Sequence, residues 1–195
     1  MTRRHLPIIL ASLSLSGCGA ASPTEEPPLK GATIGGPFTL TDQDGRRVTD
    51  AQFAGKYRIM YFGFTNCPNV CPVDLAVEAE GLRKFEAQDP ERAARVQPIF
   101  VTVDPERDTP AQLKAYVANF HPRLIGLTGS PAEISAVKRA FGVYGEKGER
   151  TSGGGYNVNH SRIMYLMGPE GAPITMIPYD QGADGVAATL NQWVR

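Results

Sequence analysis

A chain of 195 residues is long enough for one well-buried core and too short for two. Its 20 Lys and Arg residues balance 20 Asp and Glu, a neutrality that argues against a phosphate-tracking surface and so against nucleic acid as a partner. A hydrophobic content of 42% fits a globular domain, and 21 glycines with 16 prolines imply many turns.

The first stretch, "MTRRHLPIILASLSLSGC", carries positive charge at Arg3 and Arg4, an apolar run from Leu6 to Leu15 and small residues before Cys18. That is the layout of a secretory signal. The ending Leu15-Ser16-Gly17-Cys18 looks like a bacterial lipoprotein signal, in which the cysteine is lipidated and becomes the first mature residue. Residues 1–17 are therefore read as a lipoprotein signal peptide, too short in its apolar run to span a bilayer permanently. Their removal takes Arg3 and Arg4, leaving 18 basic against 20 acidic residues and a formal charge of −2. Residues 18–36, polar and rich in Pro, Gly and Ala, read as a lipid-anchored flexible linker, and residues 37–195 as one domain.

Within that domain the elements alternate. "PFTLTDQDGRRVT" reads as an N-terminal β-hairpin turning at Gln43-Asp44-Gly45, and "TDAQFAG" as one helical turn boxed by Thr49 and Gln52. "YRIMYFGF" is a buried strand; the helix after it places Val73, Val77, Leu82 and Phe85 at helical spacing. "VQPIFVTVD" and "LIGLTG" are two more strands. Each is followed by a helix with a capping box and a proline at its first position: Thr109, Pro110 and Gln112, then Ser130, Pro131 and Glu133. After a glycine-rich loop, "RIMYLMG" and "APITMIPY" form a hairpin around "PEG", and "GVAATLNQWV" is a closing helix. This order predicts an α/β class, a thioredoxin-like fold with a mixed central sheet flanked by helices.

Cys67 and Cys71, in "YFGFTNCPNVCPVDL", then fall between the first long strand and its helix. Pro72 places the boundary at Cys71 as N-cap, because proline disfavours helix in the residue before it and suits the first turn. Both sulfurs would lie near the helix N-terminus, where the dipole favours thiolate. Inside a regular helix, residues four apart hold their Cβ atoms about 5–6 Å apart, against the roughly 3.8 Å a disulfide needs; a looped CxxxC escapes that limit. The pair can therefore close as a disulfide or clamp a metal. With Cys18 lipidated, the mature chain offers two thiols and two histidines, His121 and His160, too few soft donors for a structural zinc and better suited to copper, Cu(I) especially. His121, between a helix and Pro122, reads as a solvated capping residue. His160 follows Gly153, Gly154 and Gly155 and precedes a strand, a mobile approach to a rigid platform.

Three passages, "YFGFTNCPNVCPVDL", "VTVDPERDTP" and "NVNHSRIMYLMGPEG", are similar to the Sco/SenC family, copper-binding assembly proteins of cytochrome c oxidase. The similarity spans roughly residues 34–193 and its conjunction of motifs is far more specific than CxxxC alone. It implies a copper site of Cys67, Cys71 and His160, with Asp104 as a further residue near the metal loop and Asp108, Thr109 and Pro110 as a helix start. Asn159 stands where the family usually has aspartate, which removes a charge able to orient or polarise the imidazole. The resemblance implies a periplasmic metallochaperone that loads the binuclear copper site of an oxidase subunit. Its partners would be that subunit, other periplasmic copper chaperones or thioredoxin-like reductants, and the membrane through the lipid on Cys18, the inner membrane fitting the client best. The rival reading is a thiol-disulfide oxidoreductase acting through Cys67 and Cys71 on the subunit's cysteines. A peroxiredoxin-like peroxidase is disfavoured by the CxxxC pair and its prolines.

Overall fold

The computed structural model describes residues 25–150 and 155–195. The expected signal segment, Cys18, and Gly153 and Gly154 lie outside the described residues. Seven strands form one sheet: β1 (Thr39–Asp42), β2 (Arg47–Thr49), β3 (Tyr57–Gly63), β4 (Val96–Thr102), β5 (Ile125–Thr128), β8 (Met164–Met167) and β9 (Pro173–Met176). Two further strands, β6 (Gly145–Arg150) and β7 (Tyr156–His160), make a separate antiparallel ribbon. The helices are α1 (Val70–Gln88), α2 (Pro90–Ala94), α3 (Pro110–Val117), α4 (Pro131–Ala140) and α5 (Gly182–Trp193).

Spatial order across the sheet is β2-β1-β5-β4-β3-β8-β9. The inner strands β3, β4 and β5 are parallel, while β1 and β8 join them antiparallel, so the sheet is mixed as expected. Central parallel strands need apolar residues on both faces, and every residue of β3 and β4 is buried. Tyr61 and Phe100, paired across these strands, face α1 and α3: Tyr61 donates to Asp74, and Phe100 packs on Tyr116. Phe62 points to the opposite face and packs on Phe141 at the end of α4. Burying each such ring contributes about 1.5–3 kcal/mol. This is a thioredoxin-like arrangement, with helices on both faces of the sheet.

The hairpin, the helical turn after it and both capping boxes stand where expected. Gln112 N–H donates to Thr109 Oγ1 at 3.3 Å and Glu133 N–H to Ser130 Oγ at 3.3 Å, with the reciprocal bonds also made. Four readings change. The packed domain begins before residue 37: Leu29 N–H donates to Ile174 O, Gly35 N–H to Ala140 O, and Leu29 and Ile34 pack on the core. Apolar side chains at those two positions give the supposed linker something to bury. The short helix α2, capped by the Asp89 carboxylate on Arg92 N–H, was not foreseen. Nor was the ribbon, whose "GEKGER" strand lacks an apolar alternation. The fourth change is the buried face of α1. Val73, expected inside, is 56% exposed, whereas Asp74 and Glu78 are buried with Leu75, Leu82 and Phe85.

Glu78 has consequences for stability. Both its carboxylate oxygens lack a hydrogen-bond partner, and burial, aided by the nearby charge of Asp74, pushes its pKa up to about 8. An acid whose pKa rises on folding holds its proton more tightly in the native state. Stability is therefore full below the ordinary glutamate pKa of 4.5 and declines as pH climbs through about 8. Glu78→Leu should remove this loss, gaining on the order of a few kcal/mol over the native chain at pH 8 and much less at pH 5. Urea unfolding at both pH values measures it; equal effects at the two would refute the ionisation argument.

Candidate metal centre

The site lies at the carboxyl ends of β3 and β4, where ligands gather in open α/β sheets. Helix α1 begins two residues earlier than Pro72 had suggested: Val70 and Cys71 are already helical, with Asn69 as N-cap. Proline is accommodated because the first four helical N–H groups have no intrahelical partner in any case. Asn69 makes no side-chain cap; instead Cys71 N–H donates to Cys67 Sγ at 3.4 Å. The Cys67 sulfur thus occupies the capping role and is drawn over the helix terminus.

Cys67 and Cys71 are both thiols, 9% and 0% exposed. The expectation that the helix terminus would favour thiolate at Cys71 does not hold. Burial pushes that thiol up to about 12, outweighing the Phe64 N–H and the Tyr61 hydroxyl, which pull the other way. His160, the last residue of β7, completes the cluster. Its Nε2 lies 3.4 Å from Cys71 Sγ, and the ligand atoms of Cys67, Cys71 and His160 all lie within 4.8 Å of one another. Two sulfurs and one imidazole nitrogen form a soft, three-donor set, which suits Cu(I) better than a four-ligand structural zinc.

The imidazole is oriented through its other nitrogen. His160 Nδ1 meets Ser161 O at 2.9 Å, so with the proton on Nδ1 the Nε2 lone pair faces the sulfurs. Phe64 sets its ring at 87° to the imidazole, centroids 5.6 Å apart. Behind Phe64, Arg107 stacks over both Phe64 and Tyr156, and Asp104 accepts from Arg107 Nε and from Tyr156 OH. Asp104 therefore acts on the site only through this wall. Asp108 is nearer to the cysteine loop: it accepts Thr65 N–H at 3.0 Å, Thr65 Oγ1–H at 2.6 Å and Thr102 Oγ1–H at 2.6 Å. The role foreseen for it, starting α3, belongs to Thr109 and Pro110 alone.

Two candidates fall elsewhere. Asn159 is exposed on the ribbon, and alternation turns it away from the side that bears His160. Its replacement of an acidic residue consequently removes no contact to the ring. His121 is buried, not solvated; its Nε2 lies 3.4 Å from Glu86 Oε2 and its Nδ1 accepts Arg123 N–H. Glu86 stands 15 residues beyond Cys71 on α1, about 22 Å along the helix at 1.5 Å per residue. That distance removes His121 from the ligand set.

The SCO1/SenC family model matches residues 26–195, nearly the whole described chain. The chain belongs to the SCO1/SenC family. It is 49% identical over 146 residues to the mitochondrial SCO1 homolog 1 of Arabidopsis thaliana, covering 75% of this chain and 42% of that one. The chain thus spans less than half the length of that relative. The copper-bound crystal structure of Arabidopsis thaliana ScoI superposes with a TM-score of 0.76 at 43% identity, covering 82% of this chain and 97% of that one. BsSco, described as having a disulfide switch and as a member of the Sco family of cytochrome c oxidase assembly proteins, superposes at 0.63 with 28% identity, covering 87% and 96%.

Sequence reasoning passed over Gly63, Phe64, Tyr61, Asp74 and Arg162. Gly63 alone left a signal: a lone glycine in an apolar strand marks a close approach of another group. An added Cβ there would stand 2.8 Å from Cys71 Sγ. Among the described residues no helix is long and apolar enough to cross a membrane.

Proposed function

We propose that the chain binds one copper ion through Cys67, Cys71 and His160 and delivers it to the binuclear copper site of a cytochrome c oxidase subunit. It would work on the periplasmic side of a bacterial membrane, held there by the lipid on Cys18. The observation that carries the reading is the convergence of two thiols and one imidazole nitrogen within 4.8 Å, on a fold shared with a copper-bound relative. The N-terminal signal pattern ending at Cys18 supports the location, and the family's link to oxidase assembly supports the client.

Copper is the cargo, and the chain's own residues do the rest. Cys67 and Cys71 lose their protons as they become ligands, so uptake releases protons and weakens toward acid pH. A bound cation supplies the charge compensation that the buried Cys71 lacks as a free thiolate. Oxidation of the two thiols to a disulfide would remove both sulfur donors and couple loading to redox state. The rival reading as a thiol-disulfide oxidoreductase gives His160 no evident part, whereas the copper site needs it as a third donor.

The test is a Cu(I) competition titration on the reduced full-length protein, beside His160→Ala, Cys67→Ser and Cys71→Ser. One tight equivalent is expected, weakened at least about tenfold without the imidazole and lost without either thiol. Stoichiometric binding indifferent to His160, or none in the native chain, would overturn the ligand set and move the assignment to the thiol reductase.

A further inference from the structure

Two residues past His160, the Arg162 side chain crosses from the end of the ribbon to Asp74, the fifth residue of α1. Its Nε donates to Asp74 Oδ2 at 2.8 Å and its Nη2 to Asp74 Oδ1 at 2.6 Å, a two-pronged pair that fixes direction as well as distance. Asp74 is 1% exposed and lies three residues after Cys71, on the same buried face of the helix. It takes a third bond from Tyr61 OH at 2.9 Å, which ties the carboxylate to β3. Arg162 is held from behind as well. The Tyr179 ring lies 4.5 Å from its guanidinium carbon, and Tyr179 OH donates to Arg162 O at 2.9 Å.

We infer that the Asp74–Arg162 pair positions His160 against the cysteine helix; the inference rests on the copper reading above. Only Ser161 separates the two residues, so the bond that seats Arg162 against α1 also holds the chain at His160 close to that helix. Other anchors of the ribbon run to different parts of the fold: Lys138 on α4 donates to Gly145 O, opposite His160, and Ser161 N–H donates to Tyr144 O. Tyr156 is bound by Arg107, and Lys147 pairs with Glu106, both in the segment between β4 and α3. The Ser161 carbonyl fixes the rotation of the ring but not the distance of the segment from α1. The approach of His160 Nε2 to Cys71 Sγ thus depends on a salt bridge that touches neither. With Arg162 removed, Asp74 keeps a buried charge with only the Tyr61 hydroxyl to answer it, and the segment loses its side-chain tie to α1, keeping the Tyr179 bond to the backbone carbonyl of position 162 and the β8–β3 pairing beyond it.

Arg162 is a positioning residue, and its test must separate positioning from general weakening. Cu(I) affinity of the reduced full-length protein is measured by competition for the native chain, Arg162→Met, Arg162→Lys, His160→Ala and the double variant Arg162→Met/His160→Ala. Arg162→Met is expected to lose about tenfold or more in affinity. Arg162→Lys, which keeps the charge but not the fork, should recover part of it. In the chain that already lacks His160, Arg162→Met should cost nothing further, because there is no imidazole left to position. An equal loss in both backgrounds would overturn the inference, as would native affinity in both single Arg162 variants. Affinity indifferent to His160 in the native chain would instead overturn the ligand set on which the inference stands.

Discussion

Asp108→Ala should lower the folding stability by about 3 kcal/mol or more and weaken Cu(I) binding, although Asp108 touches no ligand atom. The carboxylate is fully buried and takes three donors: the Thr65 N–H, the Thr65 hydroxyl and the Thr102 hydroxyl. Alanine takes the acceptor from all three, two of them on the half-buried Thr65, and a buried donor left unsatisfied costs about 1–3 kcal/mol. The hydroxyls can rotate toward other acceptors; the Thr65 N–H cannot. Thr65 lies two residues before Cys67, so its release loosens the segment that carries that sulfur over the start of α1. Asp108→Asn keeps the shape and one acceptor oxygen but turns its amide toward a donor, and should fall between the two. Denaturant unfolding gives the stability, hydrogen exchange at the Thr65 amide gives the local effect, and the copper titration gives the consequence at the site. Unchanged exchange at Thr65 in Asp108→Ala would show that the loop is held by something else.

This carboxylate also illustrates what was legible in advance. The passage "VTVDPERDTP" announced a strand, a turn and a capped helix, and all three are present because capping and proline preference are local rules that need no tertiary context. The same rules found the other capping box, and the density of β-branched and aromatic residues found β3 and β4. What Asp108 does with its side chain depends on Thr65, 43 residues away in sequence, and no local pattern announces that. The cysteine pair stands out by its spacing and Pro72, and His160 by its place after a glycine-rich loop; the resemblance joins them into one ligand set, and the geometry brings their donor atoms together. Asp74 and Arg162 carry no comparable signature: each reads as an ordinary surface charge until the ribbon is folded over α1. The periodicity of α1 was misread for a related reason. Val73 looked like a core residue by type, but the pull of Tyr61 and Arg162 on Asp74 turns a charged residue inward and leaves Val73 outside.

Gly63→Ala should be the most damaging single-methyl change near the site, reducing both stability and copper affinity. The Cβ it adds would stand 2.8 Å from Cys71 Sγ, 3.0 Å from Phe100 Cε2 and 3.1 Å from Tyr61 Cε1. All three neighbours are completely buried, so none can yield into solvent. Tyr61 is pinned by its bond to Asp74, and Phe100 is packed between Tyr61 and Tyr116. The sulfur is the softest of the three and the closest, and it is the one that moves. Overpacking of this kind costs about 1–3 kcal/mol, and displacement of Cys71 Sγ also alters its separation from Cys67 Sγ and His160 Nε2. Gly168→Ala is the matched control, because its Cβ would meet nothing nearer than 3.5 Å. The expected pattern is a lowered unfolding midpoint and weakened Cu(I) affinity for Gly63→Ala, with neither change for Gly168→Ala. A destabilised Gly63→Ala that binds copper at native affinity would mean that the aromatic rings give way and the sulfur holds. The backbone of β3 would then be a constraint on the core alone, and the bare position beside Cys71 would have no part in setting the metal site.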